Sequence, residues 1–178
     1  KIGIFSFPLT KSNATPTKNL VSLISSISYQ TYLLTSDNCP VHIKDYHNVH
    51  YCGAGYTLEA HPVKKIVKYL YRELHLALHV MALNKKVDSW LFFFGGDKYI
   101  LPMLAAKLYG KKIVLLKGGS SIKDSIYSDD VFYLATFFSS KINTRLATNI
   151  MLYSQSLVTD WGFEKYRHKI LIAHEHIL

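Results

Sequence analysis

Residues 88–121 read DSWLFFFGGDKYILPMLAAKLYGKKIVLLKGGSS, and their pattern decides the fold. Trp90 to Phe94 is a continuous apolar run without alternation, as expected of a strand covered on both faces. Leu101, Leu104, Ala105 and Leu108 then recur at helical spacing, and Gly110 stands where a C-terminal cap glycine belongs. Ile113 to Leu116 is again uniformly apolar, which completes one βαβ unit of a parallel sheet. Both strands run into polar glycine turns, Gly95-Gly96-Asp97 and Gly118-Gly119-Ser120-Ser121. Open α/β sheets bind ligands just beyond the carboxyl ends of their strands. Glycines there let a ligand approach the backbone and its N–H groups.

Working outward, Ile2 to Phe7 reads as a first strand and Pro8 to Ala14 as a polar loop. Thr15-Pro16 offers an N-cap followed by proline at the first helical position. Leu20, Val21, Leu23, Ile24 and Ile27 form the apolar stripe of that helix. Further strands are expected at Thr31 to Leu34, Val49 to Cys52, Asn149 to Tyr153 and Lys169 to Ala173. A long helix opens at His61-Pro62 and reaches about Leu83, and a short one covers Ser154 to Trp161. The stretch with Phe132, Tyr133, Phe137 and Phe138 is apolar around most of a helix circumference, so it is expected to be buried or packed on another domain. Alternating β and α elements imply an α/β fold: a doubly wound, mainly parallel sheet with helices on both faces.

At 178 residues and 49% hydrophobic content, residues 1–178 are expected to form a single domain. The chain opens at Lys1 inside an apparent strand and stops just after another, so it reads as half of a longer protein. No apolar segment approaches the ~20 residues that span a bilayer, and no cleavable leader is present. Cys39 and Cys52 are too few for a disulfide framework and favour a reduced, cytoplasmic setting. The formal charge of +9 favours anionic partners, and its even spread does not choose among them. Nucleic acid is disfavoured, because no helix-turn-helix, RNP-like or zinc-finger pattern accompanies the charge.

The candidate ligand-binding residues lie in three turns. Thr10, Lys11, Ser12 and Asn13 follow the first strand, where doubly wound folds bind phosphate or sugar, although GxGxxG and GxxxxGK[ST] are both absent. Gly95, Gly96 and Asp97 follow the Trp90 to Phe94 strand. There Asp97 is either a hydroxyl-binding carboxylate or the N-cap of a helix beginning at Lys98, and the cap has the edge. Lys117, Gly118, Gly119 and Ser120 form the third turn, with Lys117 either a phosphate partner or a solvated lysine. His75 and His79 are four apart, but Leu76 breaks HExxH, and no histidine pair has a supporting third metal ligand. On the long helix, Lys64, Lys65, Lys68, Arg72, His75 and His79 share one sector, with Val63, Ile66, Leu70, Leu74 and Met81 roughly opposite. That sector reads either as a patch for anionic lipid headgroups or as an ordinary solvated face.

The segments ILPMLAAKLYGKKIVLLKGGSS (100–121) and NIMLYSQSLVTDWGFEKYRHKILIAHEHIL (149–178) resemble the amino-terminal half of a group 1 (family 4) glycosyltransferase of the GT-B fold. The resemblance implies a Rossmann-like, acceptor-binding domain of a retaining enzyme that moves a sugar from a nucleotide-sugar to a saccharide or lipid-linked acceptor. The donor domain, with the family's glutamate pair, would lie beyond Leu178. The resemblance also implies no metal and no cofactor besides the donor substrate, and a cytoplasmic protein able to sit on the inner membrane face. Two departures stand out: the first loop lacks paired glycines, and Lys117 occupies the position where many relatives carry a histidine. No catalytic residue is therefore assigned. The alternatives are a stand-alone nucleotide- or sugar-binding module and a membrane-docking interaction domain.

Overall fold

The computed structural model describes residues 1–37, 39, 43, 46–55, 62–119 and 133–173. Seven strands form one parallel sheet: β1 (Ile2–Phe5), β2 (Thr31–Ser36), β3 (Val49–Ala54), β4 (Ser89–Phe92), β5 (Lys112–Lys117), β6 (Asn149–Leu152) and β7 (Ile170–Ile172). Their spatial order is β3-β2-β1-β4-β5-β6-β7. That order reverses direction between β1 and β4, which is where a crevice opens in such sheets. The doubly wound fold expected from the alternating pattern is the one present.

Among the described residues, five α-helices connect the strands: α1 (Lys11–Ile27), α2 (Pro62–Asn84), α3 (Ile100–Leu108), α4 (Tyr133–Leu146) and α5 (Ser156–Asp160). Leu20 and Val21 of α1 pack with Ile4, Leu33 and Leu91 on one face of the sheet. Leu76, Ala77 and Val80 of α2 and Met103, Ala105 and Ala106 of α3 pack with Phe5, Leu34, Phe92 and Leu115 on the other. Adjacent strand residues thus feed opposite cores, which explains the unbroken apolar runs.

Trp90 is the largest fully buried side chain and links three elements. Its indole N–H donates to Asn84 Oδ1 at 2.7 Å, and the Asn84 amide reaches Ala105 O at 3.4 Å. The ring lies over Gly3, its register partner on β1, where a Cβ would stand 2.6 Å from the indole. At the far edge, Lys169 donates to the carbonyls of Thr144 (2.6 Å) and Ala147 (3.0 Å) and so caps the end of α4.

Most element ends shift by one or two residues from expectation, and two differences are larger. Helix α1 starts at Lys11 instead of at Thr15-Pro16, and Pro16 lies within it. A local device outweighs the proline: Asn13 Oδ1 accepts the Thr10 N–H at 2.7 Å while its Nδ2 donates to Pro8 O at 2.9 Å. Starting there leaves the Ser12 carbonyl without its helical donor, because Pro16 has no N–H. The second difference is α4, whose polar side chains are the buried ones. Thr136, Ser139, Ser140, Asn143 and Thr144 are covered, whereas Leu134 and Phe138 are 65% and 59% exposed. Of the two expectations for this helix, burial within this domain fails for Phe138, and packing on another domain is the one that stays open. Phe132 lies outside the described residues.

Candidate functional site

The three predicted turns end neighbouring strands β1, β4 and β5 and so share the carboxyl rim of the sheet. Two of them meet directly. Gly95, Asp97, Lys117, Gly118 and Gly119 line one cleft of ≈ 80 Å³ together with Phe93, Phe94 and Leu116. Ser120 falls outside the described residues. In the first turn, Thr10 is the N-cap of α1, and Lys11, Ser12 and Asn13 form its first helical turn instead of a loop. Asn13 is occupied in holding that turn, as described above.

The switch point itself depends on Gly95. The Phe7 N–H donates to Phe94 O at 2.9 Å, which brings the chain after β1 against the chain after β4. Gly95 has φ +71, and a Cβ there would collide with the Phe7 carbonyl. Only glycine satisfies both the positive φ and the close approach.

Asp97 does not cap a helix. Helix α3 begins at Ile100, with Tyr99 as a cap residue that makes no side-chain bond. Asp97 instead pairs with Lys117, Nζ to Oδ2 at 2.9 Å, with the side chains 7% and 5% exposed. Lys117 also donates to Ser140 Oγ of α4 at 3.1 Å and stands 5.4 Å over the Phe163 ring. The solvated-lysine reading of Lys117 is thereby overturned. The pair ties the turn after β4 to the end of β5, and α4 closes over both. Asn143 supplies the second fastening, donating to Gly96 O at 3.1 Å and Tyr99 O at 2.9 Å. Its buried Oδ1 has no hydrogen-bond partner among the described residues. These contacts explain why α4 turns its polar face inward.

The cap of α3 comes from another helix, which the sequence reading missed. Glu73 of α2 accepts the N–H groups of Ile100 (3.0 Å) and Leu101 (2.9 Å), and the Tyr69 hydroxyl at 2.8 Å. Burial raises its pKa above the ordinary carboxylate value, and the two backbone donors pull the other way. Glu73 is the sole acid in a helix with four basic residues, and that isolation was the available signal. Replacing Glu73 with Gln removes one of its two acceptor oxygens and strands a backbone N–H. Urea unfolding is expected to show a loss of about 1–3 kcal/mol.

On the opposite side of Lys117 a larger cleft of ≈ 200 Å³ is lined by Phe137, Lys141, Trp161, Phe163, Lys165 and Tyr166, among others. Aromatic faces beside lysines suit a sugar or an aromatic ring carrying negative charge. Among the described residues, no three His, Cys, Asp or Glu side chains gather to hold a metal ion. His75 and His79 do meet, at 3.1 Å between Nε2 atoms, and His79 Nδ1 lies 3.2 Å from Cys52 Sγ. Burial, then nearby Asp37, pushes the Cys52 thiol above its ordinary pKa. Burial, then His75, lowers His79, while Asp37 opposes them weakly.

A depressed histidine binds its proton less readily folded than unfolded, so stability falls as pH drops below about 6.5. Thermal melts at pH 7.5 and 5.5 are expected to differ less for His79→Gln than for the parent chain.

No protein-family model matches this chain, and no curated protein matches it. Solved structures do. MurG from Acinetobacter baumannii matches with TM-score 0.58 at 15% identity, over 98% of this chain and 45% of its own. A UDP-N-acetylglucosamine 2-epimerase gives 0.62 at 14%, over 97% and 48%. A UGT transferase from Siraitia grosvenorii in complex with UDP gives 0.61 at 8%, over 97% and 50%. At such identities the likeness is one of fold: a Rossmann-like α/β domain, in agreement with the GT-B resemblance. The chain spans about half the length of these proteins.

Proposed function

We propose that the chain is the acceptor-side half of a retaining, family 4-like glycosyltransferase that uses a nucleotide-sugar donor and works at the cytoplasmic face. The observation that carries this reading is the rim. A buried Asp97–Lys117 pair fixes the glycine turns after β4 and β5 beside the topological switch point. The same fold occurs in a UDP-bound transferase about twice as long. With Lys117 neutralised by Asp97, this rim has little cationic power of its own. Its contribution is shape: exposed Gly118 and Gly119 allow close approach of an acceptor saccharide or lipid-linked sugar.

In this reading the chain orients the acceptor hydroxyl, which removes entropy from the barrier. Charge developing on the leaving diphosphate is stabilised from a partner domain, so these residues alone are catalytically silent. The donor is a substrate, and neither metal nor other cofactor is needed. The experiment is transfer by a protein carrying this domain and its carboxy-terminal continuation, from a panel of UDP-, GDP- and ADP-sugars, with the product anomer read by NMR. Net retention is the expected result. Folded protein that transfers from none of them and binds none would remove the proposal. The epimerase likeness supplies a second reading: interconversion of the nucleotide-sugar in the absence of any acceptor would favour it.

A further inference from the structure

Helix α4 is inside out, and its neighbours share the outward apolar face. On α4, Leu134, Phe138 and Ile142 form an exposed row at four-residue spacing. On α2, Ile66, Leu70, Leu74 and Leu78 form a second such row, with Leu70 and Leu74 61% and 55% exposed. Between them α3 packs against both helices and presents Leu101 and Leu108 outward. The stripe on α2 that a solvated-face reading would turn toward the sheet is therefore not the packed one. Leu76, Ala77 and Val80 face the core instead. Three adjacent rows of exposed leucine, isoleucine and phenylalanine far exceed the scattered apolar residues of an ordinary surface.

The exposed charges that these three helices carry are of one sign. Helices α2, α3 and α4 carry Lys64, Lys65, Lys68, Arg72, Lys107, Lys141 and Arg145. Their only carboxylate is Glu73, which is buried and consumed as the α3 cap. Around α2 three sectors can be read at about 100° per residue: a core sector, an exposed apolar sector through Leu70 and Leu78, and beside it the basic sector of Lys64 and Lys68. An apolar sector bordered by cations is the form of a helix lying in a membrane interface. A second copy of the chain is disfavoured as occupant, because pairing this face with itself sets the lysines beside the apolar rows, Lys64 and Lys68 among them, against their own copies. No helix among the described residues is long and apolar enough to cross a membrane, so contact is in the plane of the surface.

We propose that the outer face of α2, α3 and α4 docks on an anionic lipid bilayer, the leucine and phenylalanine rows entering the headgroup boundary and the lysines meeting lipid phosphates. This goes beyond the transferase reading and stands without it. The experiment is flotation of the chain with phosphatidylcholine vesicles, with and without 30 mol% (about one lipid in three) phosphatidylserine. The parent is expected to float only with the anionic vesicles, and to be released by about 1 M salt. Changing Lys64, Lys65 and Lys68 together to Gln is expected to weaken binding roughly a hundred-fold, about five-fold per charge. Leu70→Gln with Leu74→Gln and Phe138→Gln should abolish flotation while leaving the melting temperature in place, because all three side chains are exposed.

Equal flotation with neutral vesicles, no flotation at all, or undiminished binding by either variant overturns the proposal. So does a concentration-dependent dimer that the apolar variant dissolves in the absence of lipid binding. Sugar transfer to a soluble acceptor without vesicles tests the other reading separately.

Discussion

Replacing Lys117 with Met is expected to cost about 3–5 kcal/mol of folding stability, because it leaves the Asp97 carboxylate buried without its counter-charge. Lys117 holds Asp97 at 2.9 Å and Ser140 at 3.1 Å from a side chain that is 5% exposed. The two bonds lost are a minor part of the effect. Most of it is the desolvation of a carboxylate whose side chain is only 7% exposed. The double replacement Asp97→Leu with Lys117→Met removes both charges and should recover most of the loss, since a buried pair contributes little against an apolar isostere. Urea unfolding of the two singles and the double closes the cycle. A Lys117→Met protein within about 1 kcal/mol of the parent would mean that the pair behaves as a surface salt bridge and does not fix the rim. In an active transferase, loss of turnover by Lys117→Met with stability and rim geometry retained would instead give Lys117 a direct role toward phosphate.

Trp90→Ala should have an effect of similar size, about 3–5 kcal/mol, from lost burial and the cavity left behind. It also strands the Asn84 side chain, whose Oδ1 accepts the indole N–H at 2.7 Å inside the core. The informative measurement is its coupling to Gly3. In the parent chain, Gly3→Ala drives a Cβ to 2.6 Å from a rigid ring, and overpacking of this kind costs about 1–3 kcal/mol. In a Trp90→Ala background the same methyl enters vacated space and should be neutral or stabilising. A double-mutant cycle is expected to show coupling of at least about 1 kcal/mol. Additive effects would mean that Gly3 answers to backbone conformation and not to the indole.

Much of the fold was legible because parallel strands must be apolar on both faces and their connections must be helical. Trp90 to Phe94 and Ile113 to Leu116 could hardly be read otherwise, and the structure places strands within or across both runs. The rim was legible for a related reason: chain that leaves a buried strand and turns sharply needs glycine, as Gly95 with φ +71 demonstrates. Helix ends were less legible. Thr15-Pro16 is a sound local start signal, yet Asn13 bonding to both Thr10 and Pro8 begins α1 earlier. Asp97 had cap chemistry but met a lysine, while the cap of α3 came from Glu73, 27 residues from Ile100.

Helix α4 shows where amphipathic logic stops. Its aromatics suggested burial or packing on another domain, but on the domain side Ser140 meets Lys117 Nζ and Asn143 meets the carbonyls of Gly96 and Tyr99. Satisfying buried polar groups outweighs covering a few apolar side chains, since an unmade buried hydrogen bond costs more than an exposed Leu. The helix accordingly turned its serines and Asn143 inward.

The amino-acid sequence by itself determined the βαβ repetition, the parallel sheet and the glycine rim, because each follows from periodicity and backbone sterics acting over a few neighbouring residues. The tertiary structure alone decided that Asp97 meets Lys117, that Glu73 caps a distant helix, and which face of α2 and α4 looks outward. Those outcomes depend on which polar groups folding leaves unpaired, and that is known only once separate segments have come together.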